Sequence, residues 1–190
     1  AQAVLRDDLR IVVMSATLPP RLTDGFFDAE VIVSDGRAHP VETRYLGYEP
    51  RQRLEDQMAA AIRMALREET GSVLAFLPGM REIQRTAERL GDIEGVEMRP
   101  LYGALSPAEQ NAAIAPVRGG ARKVVLATDI AESSLTIEGV RVVVDGGFAR
   151  VPRFDAALGA SRLETTRLTL ASADQRRGRA GRTEPGVCYR

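Results

Sequence analysis

One cysteine and one histidine stand among 190 residues. Cys188 alone closes no internal disulfide, and with His39 it falls short of the ligand set of a Cys/His zinc site, so no metal site is expected. That scarcity fits a reducing, cytoplasmic setting. Neither sign of charge is in excess: Lys plus Arg and Asp plus Glu each number 26. No global field therefore draws the chain onto nucleic acid or a membrane, and any contact with a polyanion has to be built locally. No apolar run approaches the roughly 20 residues of a spanning helix. The mixed, charged first ten residues do not read as a signal peptide, and no membrane partner is expected. Low-complexity stretches and internal repeats are missing too. What is present is an ordinary globular composition, 44% hydrophobic. It suffices for the core of one large domain, or of one domain plus part of another.

Short β-branched runs alternate with helical patterns along the chain. Residues 9–14 and 31–33 read as strands, and the turn-rich stretch 34–40 reads as a boundary. Strands are expected at 41–46, 73–77, 96–101, 123–128 and 140–144. Helices are expected at 51–69, where apolar residues recur with a helical period, and at 81–90. Ser106-Pro107-Ala108-Glu109 is a capping box with proline at the first helical position. The strand runs lack polar alternation, which predicts burial on both faces in a mostly parallel sheet flanked by helices, an α/β fold. Residues 150–170 break the alternation and read as a β-hairpin insertion.

The richest local chemistry lies in Gln175-Arg176-Arg177-Gly178-Arg179-Ala180-Gly181-Arg182, four arginines in eight residues. Arg179 and Arg182 are three apart and would share a helix face, with Ser172 as N-cap and Gln175 as its capping-box partner. Glycines 178 and 181 each weaken a helix by roughly 1 kcal/mol relative to alanine. They suit a backbone that must approach something closely while two guanidinium forks converge on it. Such forks bind phosphate in a bidentate way. In parallel α/β sheets ligands sit at the carboxyl ends of strands. Ser15-Ala16-Thr17, Pro78-Gly79 and the hydroxyl-rich loop 128–138 all fall at such ends. Hydroxyls there can bind phosphate or sugar oxygens, or can simply cap a helix.

Taken in order and spacing, Ser15-Ala16-Thr17, Phe76-Leu77-Pro78-Gly79, residues 102–110, 127–137 and 175–182 resemble the third to sixth motifs of the helicases. Gln175, where DEAD-box relatives carry histidine, and Ala131-Glu132-Ser133-Ser134-Leu135-Thr136 resemble the DEAH-box ATP-dependent RNA helicases. Residues 183–190 look most like the bacterial HrpB-type branch. The resemblance implies a RecA-like architecture of the P-loop NTPase type. Residues 1–40 would end a first RecA-like domain and 41–190 would form the second, helicase C-terminal one. It implies that Arg179 and Arg182 are arginine fingers and that Gln175 reaches the triphosphate with them. Thr136 and Glu138, the latter aspartate in many relatives, would lie near the nucleotide ribose. Gly79, Tyr102 and Thr128 would lie near the RNA backbone. Ser15 and Thr17 would couple the nucleotide and nucleic-acid sites, and the hairpin would help to separate strands.

Two departures accompany the likeness. The position two residues before Pro116, an aromatic that stacks on a base in many DEAH proteins, is Ile114. No G-x-x-x-x-G-K-[ST] loop and no Asp-Glu-x-His box occurs in the 190 residues. The expected cofactors, ATP or another NTP with Mg²⁺, would then be bound mainly by the first domain, and the chain reads as a piece of a longer protein that is inactive alone. Single-stranded RNA and the first RecA-like domain are the expected partners. A non-catalytic RNA-binding module of the same fold and a DNA translocase are the alternatives, since phosphate contacts alone do not read the sugar.

Overall fold

The structure is a computed structural model that describes residues 39–117, 121–133, 136–155 and 159–190, together with Val12 and Ile32. The chain divides into two compact units, residues 1–36 and 37–190, and the second is described here. Apart from Val12 and Ile32, the expected strands at 9–14 and 31–33, and with them Ser15 and Thr17, lie outside the described residues.

Six strands form one parallel sheet: β1 (Val41–Arg44), β2 (Ser72–Phe76), β3 (Val96–Leu101), β4 (Arg122–Ala127), β5 (Val140–Asp145) and β8 (Gly186–Tyr189), in the order β1-β8-β5-β2-β4-β3. The connecting helices are α1 (Leu54–Glu68), α2 (Met80–Leu90), α3 (Pro107–Ile114), the four-residue α4 (Ile130–Ser133) and α5 (Leu170–Arg177). β6 (Phe148–Asp155) and β7 (Ala160–Arg167) pair antiparallel as the hairpin, between β5 and α5.

β2 is buried at every position, and β4 and β5 nearly so, which answers their unbroken β-branched and aliphatic runs. β1 and β3 depart from the expectation of two-sided burial. They are the sheet edges, and β3 exposes Arg99 and Pro100. Proline is tolerated there because an edge strand has one side without ladder partners. The strand expected at 41–46 ends at Arg44, and the helix expected at 51–69 starts at Leu54, with Glu55 and Asp56 in its first turn where the helix dipole favours acids.

The core lies on both faces of the sheet. Ile62 and Ala65 of α1 and Ile83 of α2 pack on Val73, Ala75, Val124, Leu126, Val142 and Val144 on one face. Leu74, Phe76, Val125, Val143 and Cys188 face Ala113, Ala131, Ile137 and Ala180 on the other. Each such aliphatic side chain, fully buried, contributes about 1.5–3 kcal/mol. The predicted capping box is present: Ser106 Oγ accepts from Glu109 N at 3.4 Å, and Ser106 N donates to Glu109 Oε2 at 2.8 Å. Lys123, only 1% exposed, donates its Nζ to the Ala113 and Ala115 carbonyls at 2.8 and 2.5 Å. Its ammonium thereby closes the C-terminus of α3, where a cation is favoured, and burial lowers its pKa from the ordinary lysine range.

Candidate functional site

Parallel register brings the ends of β2, β4 and β3 to one level: Phe76 pairs with Ala127, and Ala127 with Leu101. Strands in a sheet lie about 4.8 Å apart. Gly79, Thr128 and Tyr102, each just past one of those strand ends, therefore share one rim of the sheet. Thr128 N donates to the Leu101 carbonyl at 3.1 Å, which fixes the β4 exit against the β3 exit. Gly79 caps the N-terminus of α2 in an extended conformation. A Cβ built there would stand 2.7 Å from Arg150 Nη1 and 2.9 Å from Glu82 Oε2, so the glycine leaves room for the hairpin's own arginine. The Tyr102 side chain is partly buried against the core.

The arginine segment differs from the helix expected for it. Thr169, not Ser172, is the N-cap of α5: its hydroxyl accepts from Ser172 N at 3.2 Å. The helix therefore begins one turn earlier, and no capping box with Gln175 forms. α5 ends at Arg177, and successive i→i−3 bonds carry the chain on: Arg179 N to Arg176 O, Ala180 N to Arg177 O and Gly181 N to Gly178 O, at 3.0, 3.1 and 3.3 Å. Three residues per turn still put Arg179 and Arg182 on one side, because residues i and i+3 eclipse in such turns. The close approach that glycine permits is to the protein itself. A Cβ on Gly181 would meet the His39 carbonyl at 2.5 Å and Val41 Cγ2 at 2.7 Å.

Both arginines converge on the loop after β4. Arg179, 5% exposed, donates Nε to the Glu132 carbonyl at 3.0 Å, and Arg182, exposed, donates Nη1 to Thr136 Oγ1 at 2.6 Å. Burial, and then repulsion from Arg182, push the Arg179 guanidinium down to about 10 against a weaker opposing pull from Glu132. Charge penalised in this way is relieved when an anion arrives. Glu138 lies exposed in the turn before β5, in the same connection as Thr136, and Gln175 is half-buried on α5. Arg179 and Arg182, just past α5, thus reach the connection that carries Thr136.

Sequence reasoning missed the residue at the centre of this region. Arg176 is wholly buried. Its Nη1 donates to Asp145 Oδ1 at 3.0 Å and to the Phe148 carbonyl at 3.1 Å, its Nε lies 3.3 Å from Glu132 Oε2, and its Cζ lies 4.7 Å from the Phe76 ring centroid. An arginine in an Arg-rich octapeptide carries no local mark of burial. The available signal was Asp145 directly after Val142-Val143-Val144, a carboxylate at the end of a buried run that requires a cation. Among the described residues no cluster of His, Cys, Asp or Glu could hold a metal ion, and no helix is long and apolar enough to cross a membrane.

Residues 55–184 match the family described as the helicase conserved C-terminal domain. The chain is 53% identical over 189 residues to the ATP-dependent RNA helicase HrpB of Escherichia coli K12, covering 98% of this chain and 23% of that protein. It is 40% identical over 194 residues to the pre-mRNA-splicing factor ATP-dependent RNA helicase prp22 of Schizosaccharomyces pombe, covering 97% and 17%. The crystal structure of the Escherichia coli DEAH/RHA helicase HrpB superposes with a TM-score of 0.90 at 52% identity, covering 99% of this chain and 24% of that one. The parallel sheet with its flanking helices is thus a RecA-like fold. The chain spans about a quarter or less of the length of these relatives.

Proposed function

The chain belongs to the helicase conserved C-terminal domain family, and from that premise we propose that it works as the second RecA-like domain of a DEAH-box ATP-dependent RNA helicase. Residues 41–190 form that domain in this reading, and 1–40 end the first. The observation that carries the reading is the convergence of Arg179 and Arg182 on one loop, with the Arg179 charge penalised by burial.

The donor set fits a nucleoside triphosphate shared between two domains. Arg179 and Arg182 offer guanidinium forks to phosphate oxygens, Gln175 offers an amide beside them, and Thr136 and Glu138 offer a hydroxyl and a carboxylate to a ribose. Mg²⁺, held outside this set by the first domain, would neutralise phosphate charge when bound. Arginine fingers act on charge that develops during phosphoryl transfer, so these two matter most for rate. Gly79, Thr128 and Tyr102 line the rim over which a single-stranded RNA backbone would run, and Ser15 and Thr17 would link that strand to the nucleotide. The hairpin, with exposed Val151, Phe154 and Leu163, would act as a wedge between strands.

In the complete protein, Arg179→Ala or Arg182→Ala is expected to cut RNA-stimulated turnover by about 10³–10⁵ with nucleotide affinity little changed. Weakened affinity with unchanged turnover at saturation would make them ground-state phosphate ligands instead. The 190-residue chain alone should release phosphate no faster than a no-protein blank. A salt-matched competition between RNA and DNA strands reads the polymer preference. Replacing residues 151–165 with a short Gly-Ser turn, which spares the Thr169 cap, should preserve ATP hydrolysis and abolish unwinding of a tailed duplex. Equal loss of both activities would remove the wedge role.

A further inference from the structure

Glu132 sits on α4, four residues before Thr136. Its carboxylate accepts a hydrogen bond from the Ser172 hydroxyl through one oxygen and pairs with Arg176 Nε at 3.3 Å through the other. Its carbonyl accepts from Arg179 Nε at 3.0 Å. Ser172 and Arg176 are four apart on α5 and so present one face, and Arg179 follows one turn later. One residue of the loop therefore grips α5 in its first turn, its last turn and the turn beyond. The Glu132 side chain is 14% exposed and that of Arg176 is fully covered, so water screens this pair little.

The contact to Arg179 engages Nε, which fixes the stem and the plane of its guanidinium. The carbonyl can hold that place only while α4 keeps its position, and α4 is too short to hold itself: a single turn has no cooperative helix stability. Buried Ala131 seats it against the sheet, and the Glu132 carboxylate on Ser172 and Arg176 ties it to α5. Arg176 is in turn anchored by Asp145 at 3.0 Å and by the Phe148 carbonyl at 3.1 Å, both of the rigid sheet and its hairpin root.

We infer that Glu132 is a positioning residue for Arg179: its side chain pins α4 to α5 so that its own carbonyl sets the direction of the guanidinium that meets the triphosphate. The inference rests on the reading of Arg179 as that residue. Glu132 itself touches no nucleotide in this scheme.

The test uses the full-length protein and RNA-stimulated ATP hydrolysis at saturating RNA. A misplacement of about 1 Å at a reacting group costs up to about 100-fold in rate. Glu132→Ala is therefore expected to lower kcat about 10-fold to 100-fold while KM for ATP stays within about twofold. Glu132→Gln, which keeps an acceptor for the Ser172 hydroxyl, should recover a large part of the loss. Ser172→Ala, which removes one grip and leaves the ion pair, should lower kcat by a smaller factor, and it carries the test if Glu132→Ala does not fold. The double variant Glu132→Ala/Arg179→Ala should be no slower than Arg179→Ala, because a positioning residue has nothing left to position. Multiplicative losses in the double variant, or a folded Glu132→Ala or Ser172→Ala protein with wild-type kcat, would overturn the inference. So would equal losses of RNA binding and kcat that Glu132→Gln does not recover. If Arg179→Ala leaves turnover intact, the reading of Arg179 falls and this inference with it. If Arg179→Ala is slow while Glu132→Ala and Ser172→Ala are not, this inference alone falls.

Discussion

In β2 every side chain is buried, whereas in β7 only Glu164 and Thr166 reach even half-burial and the rest face solvent. The two elements belong to one unit and are held by different means. β2 lies between β5 and β4 and draws its stability from apolar area covered on both faces. The hairpin has one ladder, β6 to β7, and its outer half carries Phe154 and Leu163 in water. A lone two-stranded hairpin is marginal in water, so its attachment at the root decides its position. Tyr48 meets Phe148 edge-on at 5.7 Å, Arg167 lies 5.9 Å from the Tyr48 ring, Arg150 pairs with Glu82 at 3.3 Å, and Arg176 bonds the Phe148 carbonyl. Stability is thus spread over many methyl groups in the sheet and concentrated at a few polar and aromatic contacts in the hairpin. That division leaves a well-covered sheet beside a hairpin whose Val151, Phe154 and Leu163 stay exposed.

The sharpest way to break the comparison is at the junction that both regions share. Asp145 ends β5, takes Arg176 at 3.0 Å and accepts from Gly147 N at 3.0 Å at the hairpin root. Asp145→Ala should destabilise the protein by about 3 kcal/mol, because it takes from a buried guanidinium one of its two carboxylates and leaves Nη1 short of a partner. Urea unfolding measures it, and a loss below about 1 kcal/mol would mean that Arg176 finds another partner and the junction is not the common support. Next is the platform alone. Leu126→Ala, at a site 1% exposed, should cost about 3 kcal/mol through lost transfer and an unfilled cavity. A cost near zero would show a sheet loose enough to collapse around the gap.

Smaller effects sharpen the contrast. Thr169→Ala removes the hydroxyl that caps α5 and should cost about 1 kcal/mol. Amide exchange should then quicken at Ser172 first, since its N–H loses its acceptor. The smallest change belongs to the hairpin tip: Phe154→Ser, at 68% exposure, should alter stability by no more than about 0.5 kcal/mol. A larger loss would mean that the tip packs against the protein and is not free to act outward.

Much of this architecture was legible in the residues themselves. Runs such as Val73-Leu74-Ala75-Phe76 are too apolar for any place but a sheet covered on both faces, and Ser106-Pro107-Ala108-Glu109 announces a helix start through bonds made within four residues. The chemical class of the site was legible for a similar reason: guanidiniums close in sequence stay close in space. Less was legible where an outcome depends on distant chain. Pro100 is the one local mark of β3 as an edge, since proline within a strand is confined to edges, but which edge it takes follows from the order of strands. Local preference favours Ser172 as the cap of α5, since serine caps slightly better than threonine, but Glu132, 40 residues away, engages the Ser172 hydroxyl and Thr169 caps instead.

The sequence by itself determined the alternation of strand and helix, the position of the hairpin and the types of side chain gathered at the candidate site, because periodicity, capping and composition act over a few residues. Tertiary structure alone decided which arginines of the four are buried and what each of them meets. Arg176 and Arg179 lie in the same short segment, yet one is locked between Asp145 and Glu132 while the other turns to the Glu132 carbonyl beside Arg182. A charge can be taken out of water only where opposite charge converges on it in three dimensions, and here that charge comes from the end of β5 and from α4.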